Sequence, residues 1–216
     1  MWWTLGFSVA AAAVIFVLWY GLCLRWNRSR AQKLLASIES AFLGHGRMYG
    51  VEWNSASEFR VRLLLSGCAF TNTTITIRMS PRGLPLSWLL DAFHRRRETL
   101  TFEANLLCPP GFNLEVQNQR WLARTRSRSP RKGCKMKRLG PFILTSRCDW
   151  QREITNMVRA LSASRDCELL SVSFRRRAPH FSATVPLTAI AASHCSPVRI
   201  FDALRELASG ASAAKF

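Results

Sequence analysis

From Trp2 to Leu24 the chain reads WWTLGFSVAAAAVIFVLWYGLCL, without one charged side chain. At about 1.5 Å per residue such a run makes a helix of about 34 Å, enough to cross a hydrocarbon core of about 30 Å. Trp2 and Trp3 stand at one end of it, and Trp19, Tyr20 and Trp26 at the other. Amphipathic rings at both ends suit the two lipid–water interfaces. A cleaved signal peptide would need a basic leading segment, a shorter apolar run and a small-x-small cleavage site. Nothing basic precedes this run except the terminal amine, and Tyr20-Gly21-Leu22-Cys23 makes a poor cleavage site. A buried core helix is the remaining alternative to a spanning anchor.

Past Leu24 the pattern becomes amphipathic. Ala31, Leu34, Leu35, Ile38, Ala41 and Phe42 recur at helical spacing, with Arg30, Lys33, Ser37 and Ser40 on the other side. This predicts a juxtamembrane helix over 25–43, continuous with the span or hinged near Asn27, its stripe packed on the domain. Gly44-His45-Gly46 ends it, glycine being a common helix terminator.

From Arg47 the period falls to two. Tyr49, Val51 and Trp53 alternate with Met48 and Glu52, and Asn54-Ser55 reads as a turn. Phe59, Val61, Leu63 and Leu65 face one way, as do Ile75, Ile77 and Met79, then Leu100, Phe102, Ala104 and Leu106. These are half-buried antiparallel strands by pattern. Phe112, Leu114 and Val116 begin another that can run on through Trp121, and Phe142–Thr145, Glu168–Phe174 and His180–Leu187 supply three more. Pro186 marks an edge strand or a strand end. Short helices are predicted over Leu86–Phe93, after the N-cap candidate Asp149 through Leu161, and after Ser196-Pro197 with Val198, Phe201, Leu204 and Leu207 or Ala208 inward. A hairpin, a proline turn and a helix occur at Phe59–Phe93 and again at Glu168–Leu207, the outline of a duplicated unit.

The expected fold class is therefore α+β: one N-terminal transmembrane helix, then antiparallel sheet with about three short covering helices. The parts are an anchor at 1–24, the amphipathic helix at 25–43, a domain at 44–209 and a loose small-residue tail at 210–216.

Charge adds orientation and a candidate surface. The net charge is +18, with 26 arginines against five lysines. Such an excess argues for anionic neighbours and says nothing about fold. Arg25, Arg28, Arg30 and Lys33 follow the span and nothing basic precedes it, which predicts an outer N-terminus and a cytoplasmic domain at an inner or plasma membrane. Seven scattered cysteines suit a reducing compartment.

The densest basic stretch is 124–138, with Arg124, Arg126, Arg128, Arg131, Lys132, Lys135, Lys137 and Arg138 and almost nothing to bury. It is expected to be a mobile loop that meets anionic lipid headgroups, with a solvated insertion without a partner, nucleic acid and an acidic protein as the alternatives in that order. Nucleic-acid recognition usually adds aromatic platforms, and Trp121 is the ring nearest this loop. The membrane-interface anchors are Trp2, Trp3, Trp19, Tyr20, Arg25, Trp26, Arg28 and Arg30.

No spacing announces catalysis, a cofactor or a metal. His45, His94, His180 and His194 are scattered, and adjacent His194-Cys195 point differently. Arg78 with Arg82, and Arg176 with His180, are possible phosphate pairs. The expected role is a non-enzymatic scaffold or accessory at the membrane, with a protein partner possible. A membrane-tethered nucleic-acid binder is the alternative, and an enzyme with an unrecognised site comes third.

Overall fold

A computed structural model describes residues 2–66, 69–80, 98–119, 135–139, 142–146, 169–191 and 197–212. The chain begins with α1 (Trp2–Phe42), one unbroken helix of 41 residues. Neither proline nor a glycine pair interrupts it, so the amphipathic segment continues the apolar one without a hinge at Asn27. It stops where Gly44 takes φ +88°, with the His45 N–H bonded to the Phe42 carbonyl at 2.9 Å.

Among the described residues nine strands form one antiparallel sheet. They are β1 (Gly46–Ser55), β2 (Glu58–Leu65), β3 (Phe70–Arg78), β4 (Thr99–Leu106), β5 (Leu114–Asn118), β6 (Lys135–Leu139), β7 (Phe142–Ser146), β8 (Ser171–Phe174) and β9 (Phe181–Pro186). Their spatial order is β1-β2-β3-β4-β9-β8-β5-β7-β6. Two helices follow, α2 (Leu187–Ala191) and α3 (Pro197–Ser212). The α+β class expected from the alternating pattern is what the chain adopts.

The register puts the apolar sets of β2, β3, β4, β9 and β8 on one face. Val61 lies beside Ile75, Ile75 beside Phe102, Phe102 beside Ala183, and Ala183 beside Val172. All five are buried, with Phe59, Phe174 and Phe181 among the largest side chains fully enclosed. Ala31, Ile38 and Phe42 of α1 pack into this same core, as do Phe201, Leu204 and Leu207 of α3. Phe201 meets Phe42 edge-on, ring centroids 4.7 Å apart. The stripe of α1 past Leu24 therefore packs on the domain.

Several local expectations change. Met48 pairs with Leu63 while Gly50 pairs with Arg62, so Tyr49 is an extra residue and Met48, Val51 and Trp53 share a side. Bulges of this kind are common at sheet edges, where β1 lies. Its turn falls at Ala56-Ser57 rather than Asn54-Ser55. Of the two readings of Pro186, the strand end is the one found: it closes β9, which lies between β4 and β8 and is not an edge. On α3 the buried stripe runs through Ile200, Leu204 and Leu207, leaving Val198 on the far side and 41% exposed. The helix also runs through Gly210 to Ser212, into the expected loose tail. The predicted helices at Leu86–Phe93 and after Asp149 lie outside the described residues, and with them the basis for matching the similar outlines of Phe59–Phe93 and Glu168–Leu207.

Candidate membrane interface

The N-terminal half of α1 is exposed all round. Phe7, Val9, Val14, Ile15, Val17, Leu18 and Leu22 have no cover from the rest of the described protein, and Trp3 is 93% exposed. A core helix would be buried; the most apolar window of α1 is 0% buried. A helix apolar on every side needs an apolar medium. It is long and apolar enough to cross a membrane. Trp2 begins α1, and Trp19 and Tyr20 are exposed on it.

The domain begins to grip α1 directly where the apolar run ends. Asn27 is buried, and its side-chain amide donates to the Ala56 carbonyl in the β1–β2 turn at 3.3 Å. Three residues on, Arg30 reaches Glu98 at the entry to β4, Nη2 to Oε2 at 2.7 Å and Nη1 to Oε1 at 2.9 Å. Its guanidinium also lies 5.2 Å from the Trp26 ring, a cation–π distance. Glu98 accepts a further bond from the Ser80 N–H, and its carbonyl accepts one from Leu187. One end of the sheet is thus tied to α1 within about two turns of Leu24. Arg30, expected as a membrane-interface anchor, is also a joint to the domain; the role of Asn27 has no sequence signal beyond a lone amide on the apolar side of a helix.

Arg25 and Arg28 differ from Arg30. Both are exposed, and among the described residues neither forms an ion pair. They line an open groove of about 500 Å³ with Gly21, Leu24, Ser29 and Gln32.

The basic 124–138 stretch is shorter as a loop than expected. Lys135, Lys137 and Arg138 lie in β6, the outer strand beyond β7. Main-chain pairing needs no apolar side chains, and lysine-rich edges discourage pairing with another chain. Arg138 is exposed. Arg124, Arg126, Arg128, Arg131 and Lys132 lie outside the described residues.

Of the other basic candidates, Arg82 lies outside the described residues, and Arg78, Arg176 and His180 are engaged. Arg78 pairs with Glu58 at 2.9 Å, which holds the Glu58 carboxyl below its ordinary range through the hydrogen bond from Arg78, against the opposing effect of burial. Arg176 donates through Nε to the Gly111 carbonyl at 2.6 Å, while its N–H bonds Asn113. His180 accepts the Leu106 N–H through Nδ1 at 3.2 Å, so Arg176 and His180 do not converge. His45 stacks edge-on against Phe201. His94, His194 and Cys195 lie outside the described residues. Among those described, no three His, Cys, Asp or Glu side chains gather.

The second face of the sheet is polar. One row reads Glu52, Arg60, Thr76, Thr101, Thr184, Ser171 and Gln117; the next reads Arg62, Thr74, Glu103, Ser182, Ser173 and Glu115. From β2 to β4 these positions are half-buried or exposed, whereas Val172, Ser173 and Phe174 are buried in succession, so both faces of β8 are covered. Neither row carries an aromatic ring on which a base could stack. The chain matches no family model and no curated protein.

Proposed function

We propose that the protein is a single-pass membrane protein, N-terminus outside, whose α+β domain is held against the inner surface as a non-enzymatic scaffold or accessory. The observation that carries this reading is the double use of α1. One helix supplies the apolar span and then, through Ala31, Ile38 and Phe42, a wall of the core. A domain tethered by a flexible linker sweeps a volume. This one keeps its height and tilt, which is the property a scaffold uses to present a surface at fixed distance. The orientation rests on Arg25, Arg28, Arg30 and Lys33 following the span. The excess of arginine favours anionic headgroups beside the domain. With no aromatic platform on the described polar sheet face, no observation favours nucleic acid over lipid.

Cys108 provides the test. It is exposed just past the end of β4, about 30 Å along that strand from Glu98. A variant retaining Cys108 alone should resist an impermeant maleimide in intact cells and react fully after lysis. Labelling from outside would reverse the topology and remove the role. Release of the chain by alkaline carbonate would remove the membrane span itself.

A further inference from the structure

We propose that the groove on α1 between Gly21 and Gln32 is a binding site for one phospholipid, its phosphodiester held by Arg25 and Arg28. The inference rests on α1 spanning the bilayer.

The groove changes character along the helix. Gly21 and Leu24 line the end within the apolar run, and Arg25, Arg28, Ser29 and Gln32 line the end beyond it. Gly21 and Gln32 are about 16 Å apart along the axis, and the order from apolar to cationic to hydroxyl and amide follows that of an acyl chain, a phosphate and a headgroup. Gly21 is not kept bare by the protein, since a Cβ there would meet nothing within 4 Å. In a bilayer that bare backbone leaves room for the glycerol end of a lipid.

The charges point the same way. Arg30, Arg62 and Arg78 each have a carboxylate, from Glu98, Glu52 and Glu58. Arg25 and Arg28, three apart on one helix face, have none among the described residues. Two guanidiniums lining one groove suit a phosphodiester, to whose oxygens each fork can donate paired N–H bonds. Diffuse attraction to an anionic surface would need neither the groove nor its apolar end.

The full-length protein, reconstituted in vesicles of three parts phosphatidylcholine to one part phosphatidylglycerol, extracted in mild detergent and weighed by native mass spectrometry, provides the test. The wild type should retain one phospholipid per chain. Arg25→Gln/Arg28→Gln should retain at least tenfold less, and so should Gly21→Leu, which fills the apolar end without altering charge. Arg199→Gln/Arg205→Gln, equal in charge and exposed on α3, should behave as the wild type. Equal loss in both double variants would show diffuse attraction and overturn the site. Loss with the Arg25/Arg28 pair but full retention with Gly21→Leu would show an anion site rather than a lipid site, and overturn it too. Should carbonate strip the wild-type chain from the vesicles, the membrane reading fails with it; an integral chain with unchanged retention sinks the lipid site alone.

Discussion

Arg30 and Glu98, 68 residues apart in the chain, meet through two charge-assisted contacts of 2.7 and 2.9 Å. The pair joins α1, just past the apolar run, to the entry of β4, an inner strand of the sheet. With Glu98 only 12% exposed, loss of its partner strands a carboxylate that keeps one N–H, from Ser80. Arg30→Met is expected to cost about 1–3 kcal/mol. Arg30→Met/Glu98→Gln should recover at least half of that, measured by urea unfolding in detergent. Additive losses would mean that the two side chains are screened from each other by solvent.

Ala31 and Ala12 separate the two halves of α1. Ala31 is fully buried against the sheet and Ala12 is exposed in the apolar run. Ala31→Leu should overpack the interface and destabilise the domain by about 1–3 kcal/mol. Ala12→Leu should leave unfolding unchanged within about 0.5 kcal/mol. Equal effects would contradict the division of the helix into span and wall.

Two glycines fix the turn that sends the chain from α1 back along β1. Gly44 has φ +88°, and a Cβ on Gly46 would collide with the β2 backbone at Leu64 and Leu65. Gly44→Ala should cost about 1–2 kcal/mol. Gly46→Ala should cost more, because backbone cannot move aside as a side chain can. The same urea titration ranks them, and a milder Gly46 variant would contradict the close approach of β1 to β2.

Glu58 gives a pH dependence. Its carboxyl titrates below the ordinary glutamate range because Arg78 bonds its charged form. A carboxylate depressed in the folded state contributes stability above its unfolded pKa, and loses that contribution as pH falls through the folded value. Arg78 is exposed, so the contribution is small, below about 1 kcal/mol. Arg78→Gln should raise the Glu58 midpoint followed by carboxyl NMR and remove its share of the acid sensitivity. An unmoved midpoint would contradict the pairing.

Much of this architecture can be read from residue spacing because β2, β3 and β4 each bury one face. Ile75 and Ile77, or Phe102 and Ala104, alternate cleanly with Thr76 and Glu103, and a period of two leaves little choice. The misreadings occur where that rule weakens. At the edge strand β1 an extra residue is cheap, so Met48 and Val51 share a side that simple alternation denies. In β6 the ladder to β7 is main-chain pairing that no alternation announces, and Lys135, Lys137 and Arg138 resemble a loop in sequence. The junction of span and domain was legible as a charge boundary but not as a joint, since Asn27 and Arg30 acquire partners, Ala56 and Glu98, that only tertiary folding supplies. Arg25 and Arg28 lie beside Arg30 in sequence with nothing to distinguish the paired residue from the unpaired ones.

A nitroxide accessibility scan along α1, one position at a time from Phe16 to Ser37 in liposomes, tests most directly whether one helix is both span and wall. Up to Leu22, accessibility to oxygen should be high on every face and accessibility to a water-soluble nickel chelate low. From Arg25 a 3.6-residue period should set in and run to Ser37 without a phase break, with Asn27 and Ala31 protected from both. A lost period between Leu24 and Ala31, or chelate access throughout Phe16–Leu22, would contradict the account.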